Sequence, residues 1–421
     1  MDINKLLKGV TDCACGRVHD CDIDEVVIKS GAVNELPRLC EKYNNIVLVS
    51  DNNTYAVCGK TVEQLLGKKV ECSKVFVCDG LLVPNEQAID ALNACISKKT
   101  DLIVGVGSGV INDLCKYVSF NNNLRYFIVA TATSMDGYAS VGAAMITDNM
   151  KTTFNARVPQ VIVGDVDVLK DAPMDMIKSG FGDIIGKYSA LNDWKLANVV
   201  NGEYICDYVY NLTYETLLKT RVLASGVEKR DPETIKTLME ALVIVGIAMA
   251  FVGNSRPASG SEHHLSHYFE ITGIVKGRGY LLHGTDVVYS TVETQKLREK
   301  IIALGKMPEN TYNFDRCDWE KHIKDSYGIA ANGVIALQDK MGYYTGNLAQ
   351  KYREKWDDII AVLKETPSSD ELIALLKSAG MDYSEFEKFY GKEVIEDSVL
   401  YAKDLKDRYT VLWLYFTLFA K

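Results

Sequence analysis

Long uninterrupted apolar runs are missing from this sequence. The most apolar stretch, Ala241 to Gly253, has 13 residues, short of the roughly 20 a membrane helix needs, and reads as a buried helix. The opening residues, MDINKLLKGVTD, lack the apolar region and cleavage site of a secretory signal. No basic stripe accompanies the net charge of −9, which argues against nucleic acid as a partner. The eleven cysteines are odd in number and scattered, unlike a disulfide scaffold, so a reducing cytoplasm is expected. One local concentration, DCACGRVHDC, gathers Cys13, Cys15, His19 and Cys21. Its Cys-Ala-Cys spacing is tighter than the ~2–4 residue separation usual in structural zinc sites. The expectation there is a reduced segment with accessible thiols.

Histidine is also scarce, with six in 421 residues. Four of them, His263, His264, His267 and His283, nevertheless fall within one short segment. Neutral imidazoles held close together serve metal binding or proton transfer. On a helix, His267 shares a face with His263 or His264, while those two point about 100° apart. His283, in LLHGTD, is expected from a turn after that helix. Two imidazoles, one carboxylate and an open position make a catalytic divalent-metal site.

The first 170 residues alternate short Val/Ile-rich runs with helical stretches. The runs are Val26–Ile28, IVLVSD, KVFVC, LIVGVG, YFIVATA and VIVGDV. Parallel strands buried on both faces read this way, so a doubly wound, mostly parallel sheet is expected over residues 1–170. From about Met174 helical periodicity dominates, predicting an all-α domain over 171–421. A chain of this length is long for a single core, and two domains fit it.

Three further segments bear on chemistry. GVGSGVIND (105–113) follows a strand and has the small residues and helix start of a phosphate cradle; a plain tight turn is the alternative. TATSMDGYAS (131–140) offers hydroxyls and Asp136 for a sugar or substrate, or is a polar loop capping a helix. In GFGDIIGK, Asp183 lies among apolar neighbours, where a carboxylate is costly unless ligated or paired; an N-cap or first-turn aspartate is the alternative.

The ordered set GVGSGVIND, TATSMDGYAS, GDIIGK, SRPASGSEHHLSH and LLHGTD resembles the glycerol-1-phosphate dehydrogenases, in particular their bacterial AraM-like branch. These belong with the iron-type alcohol dehydrogenases, glycerol dehydrogenases and dehydroquinate synthases. The resemblance implies a dehydroquinate synthase-like fold and reversible NAD(P)H-linked reduction of dihydroxyacetone phosphate to sn-glycerol 1-phosphate. It implies Asp183, His263 and His283 as metal ligands, with nickel favoured and zinc second. His267 then faces substrate, Asp183 and His267 take the catalytic roles, and His264 points outward. Gly109, Val110, Ile111, Asn112 and Asp113 would hold the pyrophosphate, and Thr131, Ser134 and Ser140 would line the nicotinamide. Asp136 would bind a substrate hydroxyl. Asp51 would accept from the adenosine ribose and favour NADH over NADPH. Ser108 stands where the family often has a third glycine. For the phosphate of the substrate, Arg256 and the amides of residues 259–261 are the candidates. A cytoplasmic homodimer is implied. A glycerol dehydrogenase acting on unphosphorylated polyol is the rival reading. A dehydroquinate synthase-like lyase would carry a glutamate where Asp183 stands, and a metal- or nucleotide-binding regulator that kept the fold would bind NAD without turnover.

Overall fold

The computed structural model describes residues 2–80, 82–147, 150–309 and 314–420. All six expected strands form, and they form one parallel sheet. They are β1 (Glu25–Lys29), β2 (Ile46–Asp51), β3 (Val70–Phe76), β4 (Leu102–Gly107), β5 (Arg125–Ala130) and, after a hairpin of β6 (Gly142–Thr147) and β7 (Met150–Asn155), β8 (Val161–Asp165). The order is β1-β8-β5-β4-β2-β3, every neighbour pair being parallel. All six residues of LIVGVG are buried, which is why this strand is apolar throughout rather than alternating. The hairpin β6–β7 is antiparallel and lies outside the expected set of strands.

The strand order places the chemistry. β3 lies outside β2, whereas β4 crosses to its other side. The carboxyl ends of β2 and β4 therefore meet at the point where the winding direction reverses, with β5 next to β4. Open α/β sheets bind ligands at such a switch point. Asp51 ends β2, Ser108 follows β4, and Thr131 follows the neighbouring β5.

The chain divides into two units, one of residues 1–181 with 225–254, the other of residues 182–224 with 255–421. The division expected at 170 therefore falls at 181, and one helix expected in the helical half belongs to the sheet unit. That helix is Pro232–Val252, which packs on the turn Asp136–Ala139 and on β1. It is 21 residues long with a hydropathy high enough for a membrane span, yet 78% of its most apolar window is buried. Its apolar surface is spent on the core of the first unit.

The second unit is helical. Within it Lys187–Asn201, Ser261–Lys276 and His283–Ile302 pack together, and buried Arg298 ties the last of these to the first. Its guanidinium donates to Asn192 Oδ1 at 2.9 Å, to Asp193 Oδ1 at 2.9 Å and to Ser189 Oγ at 3.2 Å. Leu348–Glu354 and Trp356–Leu363 are separate helices, because Lys355 between them leaves the helical region with φ −121° and ψ 18°.

Candidate metal centre and nucleotide site

Asp183 lies near the end of the helix Met174–Ile185, not at its start, so the helix dipole does not stabilise its charge. The carboxylate is fully buried. Burial pushes its pKa up, but the ammonium of Lys187 and the imidazoles of His283 and His263 outweigh this and hold it down at about 2. Lys187, itself buried, places Nζ 2.7 Å from Asp183 Oδ1. This partner is readable in GDIIGK as a carboxylate and a lysine four residues apart.

The approach of Asp183 to His283 depends on Gly182. A Cβ there would stand 2.3 Å from the carbonyl oxygen of Gly284, so only glycine lets these two segments close up. His283 is the first residue of its helix rather than part of a turn, and its Nδ1 is 3.5 Å from Ser266 Oγ.

His263 comes from the first turn of Ser261–Lys276. Its Nδ1 is 2.7 Å from Glu262 Oε1, and its Nε2 is 3.7 Å from Asp183 Oδ1. Donor atoms of Asp183, His263 and His283 all lie within 4.8 Å of one another. A carboxylate on one ring nitrogen with the other aimed at the ligand cluster is the arrangement that orients metal-binding histidines. The donor set fits a divalent transition metal. His267 completes the group, its ring centroid 6.2 Å from that of His263 and 6.0 Å from that of His283. It is partly exposed.

Two expectations for this unit are overturned. His264 does not face outward. It is fully buried on another face of the helix, its two ring nitrogens make no hydrogen bond among the described residues, and burial with nearby Arg408, Lys406 and Arg256 holds it neutral. The groups expected at the substrate phosphate are engaged elsewhere. Arg256 is buried, its guanidinium forked onto the Glu203 carboxylate and donating to the Tyr409 carbonyl at 3.0 Å. The amide of Ser259 donates to Ser255 O at 2.8 Å, that of Gly260 to Glu262 Oε1 at 2.8 Å, and that of Ser261 to Asp193 Oδ2 at 2.6 Å. The anions at this helix N-terminus are the protein's own.

In the sheet unit, the helix Gly109–Asn121 follows β4. Its first intrahelical bond runs from the Asn112 amide to Ser108 O, 2.9 Å, so the amides of Gly109, Val110 and Ile111 stand before it, as an anion site requires. Gly107 lets the helix start this close to the sheet, since a Cβ would meet Ile111 Cβ at 2.6 Å. The side chains of Ile111 and Asn112 turn inward, Asn112 donating to Gly137 O at 3.3 Å and accepting from Tyr126 at 3.3 Å. Asp113 accepts from the Ala144 amide at 3.2 Å. These two side chains support neighbouring segments.

Lys116, which no motif flagged, is fully buried and spans the following loop. Its Nζ donates to Gly137 O at 3.0 Å, Ser140 Oγ at 3.3 Å and Gly142 O at 2.7 Å, so it fixes the segment holding Ser134, Asp136 and Ser140. Asp136 is buried in that turn. Thr131 donates its amide to Gly107 O at 3.1 Å, stitching the two loops together. Asp51 caps the turn after β2 through Thr54, 2.8 Å.

The family model described as iron-containing alcohol dehydrogenase matches residues 27–173. Glycerol-1-phosphate dehydrogenase [NAD(P)+] of Halalkalibacterium halodurans is 30% identical over 422 residues, covering 98% of each chain. The enzyme of that name from Geobacillus thermodenitrificans is 30% identical over 329 residues, covering 76% of this chain and 81% of its own. The crystal structure of glycerol dehydrogenase from Schizosaccharomyces pombe superposes with a TM-score of 0.52 at 18% identity, over 87% of this chain and 91% of that one. This last likeness bears on fold alone, and it agrees with the sheet-plus-helices, dehydroquinate synthase-like class expected. Identity at this level over the whole length makes the chain a member of the glycerol-1-phosphate dehydrogenase family.

Proposed function

We infer that the chain interconverts dihydroxyacetone phosphate and sn-glycerol 1-phosphate with NAD(P)(H), Asp183, His263 and His283 holding a divalent metal. It is an NAD(P)-linked oxidoreductase by its family. The observation that carries the site assignment is the cluster of three donors within 4.8 Å, with Glu262 locking His263.

A metal bound there supplies Lewis acidity at the ketone, and the nicotinamide supplies the hydride. The remaining work falls to the chain. Asp183 stays ionised at any working pH, since its pKa is held at about 2. Glu262 keeps the His263 proton on Nδ1 and leaves Nε2 as the donor. His267 gives a proton to the alcohol oxygen during reduction and takes one back during oxidation. The amides of Gly109, Val110 and Ile111 receive the pyrophosphate, and Lys116 holds the loop that presents Ser134, Asp136 and Ser140. Thr131 takes the nicotinamide side, and Asp51 takes the ribose and favours NADH. Nickel as the metal, with zinc second, a homodimeric assembly, a cytoplasmic setting and a role in lipid-precursor synthesis complete this reading, on the strength of the family resemblance.

The test is NADH oxidation with dihydroxyacetone phosphate after reconstitution with nickel or zinc, followed by chiral analysis. Turnover to the sn-1 isomer is expected. Activity on dihydroxyacetone or glycerol alone would transfer the chain to the polyol dehydrogenases.

A further inference from the structure

The N-terminal segment DCACGRVHDC folds into a hairpin. Val10 donates its amide to His19 O at 2.8 Å, and His19 donates to Val10 O at 2.9 Å. Between them the Gly16 amide bonds to Cys13 O at 2.9 Å, closing a tight turn. Gly16 has φ +77°, a left-handed conformation that glycine adopts at no steric cost. The turn folds Cys13 and Cys15 back towards His19. Their two Sγ atoms and a His19 ring nitrogen lie within 4.8 Å of one another, and Cys15 Sγ is 3.2 Å from His19 Nε2. No cysteine of the chain is in a disulfide.

The orientation of His19 points to a ligand. It is fully buried, and its Nδ1 lies 2.9 Å from the carbonyl oxygen of Phe251. A carbonyl only accepts, so the ring proton sits on Nδ1 and the lone pair of Nε2 faces the thiols. A backbone carbonyl holding one ring nitrogen while the other meets thiols is the outer-shell pattern of metal-binding histidines. The thiols are reduced and half-buried, in keeping with the expectation of a reduced segment with accessible thiols, while the imidazole beside them is buried and held in place. The short Cys-Ala-Cys spacing is compensated by the hairpin, which supplies the third donor from the opposite strand.

We propose that this hairpin is a second metal site, in which Cys13 Sγ, Cys15 Sγ and His19 Nε2 hold a thiophilic divalent cation, zinc by preference, in a structural role. Two thiolates and an imidazole select zinc over magnesium, calcium or manganese. The site lies within the sheet unit, separate from the Asp183, His263 and His283 cluster. Among the described residues before β1, the regular structure is a four-residue helix, Ile3–Leu6, and this one bridge. Metal binding would supply the ordering energy that so short a segment cannot draw from burial. It would also fasten the segment, through His19 and Phe251, to the end of the buried helix Pro232–Val252.

The experiment is cobalt reconstitution of the metal-stripped full-length chain, with metal counted by elemental analysis and absorption spectra recorded. The wild type should take up two equivalents and show sulfur-to-cobalt charge-transfer absorption. The Cys13→Ser/Cys15→Ser protein should lose one equivalent together with that absorption, and His263→Ala should lose one equivalent and keep it. No thiolate absorption in the wild type, or the same absorption in the double-serine protein, overturns the proposal. If the double-serine protein does not fold, alkylation of the wild type mapped by peptide mass spectrometry decides. Zinc should slow modification of Cys13 and Cys15, and equal rates with and without zinc overturn the site. No readout here involves turnover, so failure would leave the proposed dehydrogenase activity untouched.

Discussion

Glu262 Oε1 sits 2.7 Å from Nδ1 of His263 and turns the other ring nitrogen, Nε2, towards Asp183. The same carboxylate oxygen accepts the Gly260 amide, so the helix start and the metal ligand are oriented by one group. Glu262→Gln keeps the size but loses the charge that sets the tautomer. Loss of such an outer-shell carboxylate typically costs about 10- to 100-fold in metal affinity. Chelator-competition titration should show a drop of that order with an unchanged circular dichroism spectrum. Equal affinity in both proteins would remove Glu262 from the site.

Lys187 and Asp183 form a fully buried pair. Removing one partner of such a pair costs about 3–5 kcal/mol, because the other charge is left uncompensated. A metal ion on Asp183 would supply the missing positive charge. Lys187→Met should therefore lose stability mainly in the metal-free state, and added zinc should raise its melting temperature more than it raises that of the wild type. Equal shifts in urea or thermal melts would show that the metal does not bind at Asp183.

Gly107 and Gly109 separate packing from binding. A methyl at Gly107 collides with Ile111, whereas one at Gly109 meets only Met135 at the ordinary distance of 3.6 Å. Gly107→Ala should cost about 1–3 kcal/mol, as overpacked sites do. Gly109→Ala should fold like the wild type yet bind NADH more weakly, because the added methyl stands where an anion approaches the amides. Nucleotide titration by fluorescence beside urea unfolding checks both, and unchanged affinity in Gly109→Ala would take the nucleotide away from this turn.

Asp286 is buried one turn beyond His283, with the Tyr390 hydroxyl 2.8 and 2.9 Å from its two oxygens. Burial pushes its pKa well above the ordinary carboxylate value of 3.8, against the opposing hydrogen bond from Tyr390. The folded state then binds a proton that the unfolded state releases. Stability from this group is complete below 3.8 and declines by up to ~1.4 kcal/mol per pH unit as pH rises through the window up to the raised value. Asp286→Asn keeps an acceptor for Tyr390 and cannot ionise, so its stability relative to the wild type should grow as pH rises from 4. Parallel urea curves across that range would contradict a protonated Asp286.

Much of this architecture is legible without coordinates. Six Val/Ile-rich runs become the six strands of the main sheet, because residues covered on both faces must be apolar. The family resemblance carried by the motifs implies Asp183, His263 and His283 as the ligand set, and their donor atoms lie within 4.8 Å of one another. What the sequence does not determine is which polar groups already have partners. Arg256 and the amides of residues 259–261 look like a phosphate site in one dimension, but Glu203, Ser255, Glu262 and Asp193 occupy them in three. His264 cannot be told from His263 by type, and only packing buries it with neither ring nitrogen hydrogen-bonded. Lys116 carries no signal at all until the loop of residues 137–142 folds over it. Local pattern follows from each residue's own chemistry, whereas partnership depends on segments distant in sequence, and burial of both groups together is what decides it.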